Sequence, residues 1–207
     1  MPKQTFLNLP KEKADAILNA AIVEFSRTSY AEASINKIIQ MSKIPRGSFY
    51  MYFENKEELY NYLLDKFFDS LFNAKLKLMK KNKGDIINTY IGLFDVVYKE
   101  CNQTARRDFF RNVFINMTYK TECDFVRNEE YVKDKINDYY KLVDQDKLNI
   151  HNKDDLFIID SMFMSILMKS ILVSLRSEID LKEVKKTYYT ELALIKNGVY
   201  KKEEIDA

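Results

Sequence analysis

Apolar residues recur at every third or fourth position along most of the chain, the period of helices that bury one face. Leu18, Ala21, Ile22 and Phe25 form such a face in a first helix expected over about residues 11–29, after Pro10. Ile35, Ile38 and Ile39 form the inner face of a short second helix, with Ser34 as its N-cap. Lys37 stands where a full capping box would place Glu or Gln. Ser42-Lys43-Ile44 reads as a turn, and Pro45 then sits where a helix start tolerates a missing N–H. Phe49 and Phe53 lie one turn apart behind the opening of a third short helix. Asn55 with Glu58 has the form of a capping box opening a long helix over about residues 56–81, in which Leu59, Leu63, Phe67 and Leu71 face inward.

After a polar break over residues 80–84 the same period continues. Ile87, Ile91, Phe94, Val97 and Cys101 mark one helix; Phe109, Phe110, Val113, Phe114 and Met117 the next; Val132, Ile136, Tyr139, Tyr140 and Val143 a third. Residues 156–176 are apolar nearly all round, and Leu181, Val184, Tyr188, Leu192, Ile195 and Val199 define a last amphipathic helix. The pattern predicts an all-α protein of about nine helices: a three-helix domain over residues 1–54 and a helical domain over 55–207.

Composition supports this. Four glycines and three prolines in 207 residues are too few for an all-β fold with many tight turns. The formal net charge of +2 says little, but residues 1–56 carry +3 and the remainder −1. A basic end on a near-neutral scaffold fits nucleic-acid reading, although chance also supplies so small an excess. Cys101 and Cys123 have no disulfide or metal-ligand spacing, and a reducing cytoplasm is the expected compartment. The N-terminus lacks a signal-like apolar core. A membrane span over 156–175 would bury Asp160 and Lys169, so that segment is expected to be covered by protein. No phosphate loop, metal-spaced cluster or Ser-His-Asp set occurs, and the single histidine, His151, lies in a polar loop. Neither catalysis nor a metal or other cofactor is expected.

Residues 47–60, GSFYMYFENKEELY, directly after a helix-turn pattern, resemble the tetracycline-repressor-type (TetR) transcriptional regulators over about residues 12–64. Beyond that stretch the resemblance rests on helix number and length. It implies an N-terminal helix-turn-helix DNA-binding domain, a C-terminal ligand-binding and dimerisation domain, and double-stranded DNA as partner. Ser34 would offer its hydroxyl or N–H to a phosphate, and Arg46 would reach a base edge, guanine being the usual bidentate partner. Gly47 would let the backbone approach closely, Ser48 would sit at the groove floor, and Tyr50 and Tyr52 would meet phosphates or a thymine methyl. Lys56 would pair with a phosphate; Lys37, Lys43 and Pro45 complete the expected surface. Many family members have glycine where Lys43 and Ser29 stand here, so a positive φ at Lys43 would be strained.

The resemblance also implies a homodimer through the last two long helices, with Ser161, Ser165, Ser170 and Ser174 allowing close approach. The expected ligand pocket is aromatic: Phe68, Phe72, Tyr90, Phe94, Phe110, Phe114, Met117 and Tyr140. Any of these is equally ordinary core. Asp95 and Asp160 sit in apolar runs and are expected to pair with Arg106, Arg107 or Lys169 rather than with a ligand. The resulting expectation is a repressor that holds a palindromic operator as a dimer and is released by a small hydrophobic effector. The alternatives are a DNA-binding adaptor or organising protein whose body binds another protein, and an all-helical enzyme or carrier.

Overall fold

The structure, a computed structural model, describes residues 1–115, 137–150, 152–176 and 179–197. Met117, Cys123, Val132, Ile136, His151 and Val199 lie outside the described residues, as does the side chain of Phe114. The chain is helical, and no strand occurs among the described residues. In order come α1 (Gln4–Leu7), α2 (Lys11–Arg27), α3 (Ile35–Ser42), α4 (Arg46–Tyr52), α5 (Lys56–Lys81), α6 (Ile86–Cys101), α7 (Thr104–Ile115), a 3-10 turn (Gln145–Lys147), α8 (Lys153–Ser174) and α9 (Leu181–Asn197).

Local chemistry sets these ends. Pro10 is the N-cap of α2, and Arg27 in the last turn complements the helix dipole. Helix α5 begins where Asn55 Oδ1 accepts the Glu58 N–H at 2.8 Å. The Glu58 carboxylate reaches back one residue further than a standard box, to the Glu54 N–H at 2.6 Å. A full capping box between Asn152 and Asp155 opens α8. Helices α3 and α5 end alike. Lys43 (φ 54°) donates its N–H to Gln40 O, and Ile44 donates to Ile39 O. Lys83 (φ 51°) donates to Lys80 O, and Gly84 donates to Met79 O. Both are Schellman ends with lysine in the left-handed position. Ser29 does not adopt a positive φ. Gly84 (φ 83°) is required twice over, since a Cβ there would fall 2.6 Å from Leu142 O and 2.5 Å from Asp144 N.

Contacts gather into two compact units, Met1–Asn73 with Lys99–Phe125, and Ala74–Tyr98 with Val126–Ala207. The division falls within α5 and α6, whereas the sequence pattern separates 1–54 from 55–207. In the first unit α2 packs on α3 and α7, and α1 packs on α4. Its core holds the expected Leu18, Ala21, Ile22, Phe25, Ile38, Phe49 and Phe53. In the second unit α8 packs along α9. The buried stripe of α6 is Ile86, Tyr90, Leu93, Phe94 and Val97; Ile87 and Ile91, expected on it, are half-buried.

Helix α8 is long and apolar enough to cross a membrane by length and composition, and 28% of that stretch is buried within the chain. The expectation that protein covers it thus holds for one side only: Phe157, Ile158 and Met162 are exposed.

Candidate nucleic-acid interface

Helix α4 has two unlike faces. Phe49 and Phe53 are fully buried. Pro45, Arg46 and Gly47 are exposed, Ser48 is half-buried, and Tyr50 and Met51 stand out in solvent. Lys37 and Lys43, on and just after α3, are exposed as well. A Cβ on Gly47 would meet nothing of the protein within 4 Å, so the fold itself does not require glycine there.

Three of the expected contact residues have partners within the protein. Tyr52 is buried at 6% exposure, its ring edge-on to Phe6 at 6.0 Å, because on so short a helix position 52 shares the inner face with Phe49 and Phe53. Its ring is core, not recognition surface. Ser34 is the N-cap of α3, but its hydroxyl makes no capping bond. Its N–H, expected to meet a phosphate, donates instead to Glu24 Oε1 at 3.0 Å. Lys56 donates to the carbonyls of Ala31 at 2.9 Å and Ala33 at 3.0 Å and lies over the Tyr30 ring at 4.8 Å. Two of its N–H bonds thus hold the loop before α3 rather than pointing outward.

Glu24 is the hub of this support. Arg27 donates to it at 2.8 Å from the same helix, and the Ser34 N–H donates from the start of α3. The Arg27 bond holds the Glu24 carboxyl below the usual glutamate range, against the opposing effect of burial. Helix α7 adds Asn112, whose Nδ2 donates to Phe25 O at 3.2 Å and Ser26 O at 3.1 Å, satisfying carbonyls at the end of α2.

The N-terminal segment was not legible as structure. Lys3 donates its N–H to Tyr52 O at 2.9 Å and its ammonium to Tyr50 O at 2.8 Å, while the Thr5 hydroxyl donates to Met51 O. These bonds take up the last carbonyls of α4. Phe6 anchors the segment at 4.6 Å from the Phe53 ring. The sequence signal was a single phenylalanine in a four-residue helix, too short for any period.

The expected pocket residues divide between the units. In the first, Phe110 is buried with its ring 4.3 Å from Phe67, and Phe68 and Phe72 are half-buried. In the second, Tyr90, Phe94 and Tyr140 are buried. Phe94 packs on Tyr188 at 5.0 Å. Tyr90 belongs to a polar cluster. Lys75 donates to Asp160 at 2.6 Å, Tyr90 Oη donates to Asp160 Oδ1 at 2.7 Å, and Tyr139 Oη donates to the same oxygen at 3.1 Å. The partner of Asp160 is therefore Lys75. Asp95 pairs with Lys185 at 2.5 Å, Arg106 with Glu100, and Lys169 with Glu191. These correct the expected pairs.

Comparison with known proteins agrees with the shape of the first unit and extends beyond it. A family model described as "Bacterial regulatory proteins, tetR family" matches residues 17–63. A second, "Tetracyclin repressor-like, C-terminal domain", matches residues 85–199. The chain is 34% identical over 100 residues to the "Uncharacterized HTH-type transcriptional regulator YuxN" of Bacillus subtilis (strain 168), a match covering 48% of this chain and 33% of that protein. It is 25% identical over 144 residues to YhgD of the same organism, bearing the same description, covering 63% of this chain and 70% of that protein. A solved putative TetR-family transcriptional regulator from Syntrophomonas wolfei has the same fold, with a TM-score of 0.70 at 18% identity over 93% of this chain and 99% of that one. A regulator from Aquifex aeolicus VF5 gives 0.59 at 19% identity, over 88% and 99%. With one family model on the helix-turn-helix and another across more than half of its length, this chain belongs to the tetR family of bacterial transcriptional regulators.

Proposed function

We propose that the protein is a repressor that binds a palindromic operator as a homodimer and is released by a small, largely apolar ligand. The observation that carries this reading is the opening turn of α4, with Arg46 and Gly47 exposed and Ser48 half-buried, above the buried Phe49 and Phe53. An exposed arginine offers bidentate hydrogen bonds to guanine, and the bare glycine allows backbone approach that its own fold does not call for. Lys37 and Lys43 flank it for phosphates, and Tyr50 adds a hydroxyl. Lys56 acts indirectly, by fixing the loop that leads into α3.

The dimer is supported by the uncovered apolar side of α8 and α9, where Phe157, Ile158, Met162, Tyr189 and Leu194 are exposed. Of the four serines expected to permit close approach, Ser161, Ser165 and Ser174 donate their hydroxyls to carbonyls of their own helix, so these three bring no unmet hydroxyl to a seam. A two-fold pair would set two copies of α4 about 34–36 Å apart, or a multiple of that, on one face of a duplex. Such a protein works in the cytoplasm and needs no catalytic group.

Selection of bound sequences from random duplexes tests the reading. The expected result is an enriched palindrome whose half-sites repeat at about 10 base pairs or a multiple. Arg46→Ala should cost about 1–3 kcal/mol of specific binding and relax one position of the enriched site. No enrichment at low salt would remove the regulator reading, and an equal loss on every sequence would reduce Arg46 to a backbone contact.

A further inference from the structure

We propose that Lys3 and Thr5 are positioning residues for DNA recognition, closing the C-terminal end of α4 and so holding its outer face in the geometry that reads a duplex. This rests on the DNA-binding reading above and adds to it a segment outside the expected contacts. Helix α4 has seven residues, about 10 Å of length, far below what holds as a helix alone in water. An α-helix leaves its last four carbonyls without partners of its own. Phe49 O accepts the Phe53 N–H at 2.8 Å, just past the helix end. Two residues meet the other three in order: Tyr50 O accepts from the Lys3 ammonium at 2.8 Å, Met51 O from the Thr5 hydroxyl, and Tyr52 O from the Lys3 N–H at 2.9 Å. All four terminal carbonyls are thereby paired.

These side chains do not serve the core. Lys3 and Thr5 are exposed, and burial in the segment falls to Pro2 and to Phe6, whose ring meets those of Tyr52, Phe53 and Tyr62. Water satisfies a surface carbonyl nearly as well as a protein donor does, so what Lys3 and Thr5 add is position. The Lys3 ammonium also meets the negative end of the helix, where a cation is favoured. The carbonyls that the two side chains hold belong to Tyr50 and Met51, both of which stand in solvent on the outer face. Phe49, Tyr52 and Phe53 hold the inner face, but apolar burial is non-directional, whereas three hydrogen bonds set the backbone of the last turn. The family pattern matched on the head starts at residue 17 and does not account for this segment. Base readout needs side chains held to within about 0.5 Å, while attraction to phosphates carries no sequence information. A loosened α4 therefore loses specific affinity before non-specific affinity.

The test uses the full-length protein and two duplexes, one enriched from random sequence by the unaltered protein and one unselected random duplex of the same length. Thr5→Val keeps the side chain's shape and removes only its hydroxyl. It should weaken binding to the enriched duplex about two- to fivefold, leave the random duplex within about twofold, and leave the salt dependence of binding unchanged. Lys3→Met should give a similar loss, with the slope of log affinity against log salt lowered by less than about 0.5, and the double variant should lose about tenfold. Thr5→Ser and Lys3→Arg each restore a donor and should return the affinity to within about twofold of the unaltered protein. In the DNA-free protein, amide exchange over residues 50–53 should speed by the same factors, with exchange in α8 unchanged. A loss shared equally by both duplexes, or a salt slope lowered by about 1 in Lys3→Met, would make Lys3 a phosphate contact and overturn its positioning role. Unchanged affinity for the enriched duplex in the double variant overturns the proposal outright, as does a loss that the serine and arginine variants fail to restore. If the double variant fails to fold, the two single variants decide. No enriched duplex at all removes the operator reading and this proposal with it, whereas an enriched duplex bound equally by every variant removes this proposal alone.

Discussion

In the unit that carries α1–α4, the fully buried positions are apolar, Ile17, Ala21, Ile38, Phe49 and Phe53 among them, and Lys37, Lys43 and Arg46 stand in solvent. In the unit that carries α8 and α9, a lysine and a carboxylate meet inside under tyrosine rings, while Phe157, Ile158 and Met162 lie outside. On the proposed reading, the difference follows from what each would meet. A surface for nucleic acid needs charge outside and a rigid apolar back to hold it. A surface for a second copy of the chain needs apolar area outside, which frees its interior for polar chemistry.

The contrast is sharpest in the two cores. Phe49→Ala should cost about 3–5 kcal/mol, because the ring is fully buried and its loss leaves a cavity behind α4. Chemical denaturation should show the loss, and hydrogen exchange should place it in α1–α4. Asp160→Ala should cost a similar 3–5 kcal/mol, since it strands the Lys75 ammonium. The double change Lys75→Met with Asp160→Leu should recover most of that loss, whereas no second substitution of this kind rescues Phe49→Ala. If the double variant is no more stable than Asp160→Ala, the interior of the second unit depends on its charges as the first depends on its rings.

Glu24 is the exception that ties charge into the first core. Its folded pKa lies below the unfolded value, so its contribution is complete above about pH 4.3 and fades as pH falls through the folded value. Glu24→Gln should lower stability at pH 7 by about 1–2 kcal/mol, the worth of hydrogen bonds to a charged group, and should flatten the acid side of the stability curve. Denaturation midpoints at pH 7 and pH 3 measure both. An unchanged acid limb would show that Arg27, half in solvent, and the Ser34 N–H gain nothing from the charge.

How legible the molecule was in its sequence follows the same division. Local rules sufficed for α5, read as residues 56–81 and found as Lys56–Lys81, and for the existence of a turn at Lys43, though not for its left-handed φ of 54°. They also gave the outward position of Arg46, Gly47 and Tyr50. They failed where one turn of helix decides a side chain's direction, as at Tyr52, and where the partner is distant in sequence. Asp160 meets Lys75 across 85 residues, and no periodicity encodes that meeting. The ammonium of Lys56 was assigned to DNA because its carbonyl partners, Ala31 and Ala33, have no side-chain signal. The aromatic pocket was the least legible, since a ring that lines a cavity and one that fills a core obey the same pattern.

The smallest effect is also the most direct comparison of the two units, because each ends a helix on a left-handed lysine. Lys43 closes α3 at φ 54°, and Lys83 follows α5 at φ 51°, with the same pair of backbone bonds behind each. A side chain in this conformation costs about 1–2 kcal/mol, part of which glycine gives back through its greater freedom when unfolded. Lys43→Gly and Lys83→Gly should therefore each raise stability by roughly 0.5–1 kcal/mol, measurable as a small shift in denaturation midpoint. Their effects on DNA should part company. If Lys43 neutralises a phosphate, its loss lowers the slope of log affinity against log salt by about 1. Lys83→Gly should leave that slope unchanged. Equal slopes in both variants would assign Lys43 to the turn alone, and the strained backbone there would need some reason other than contact with DNA.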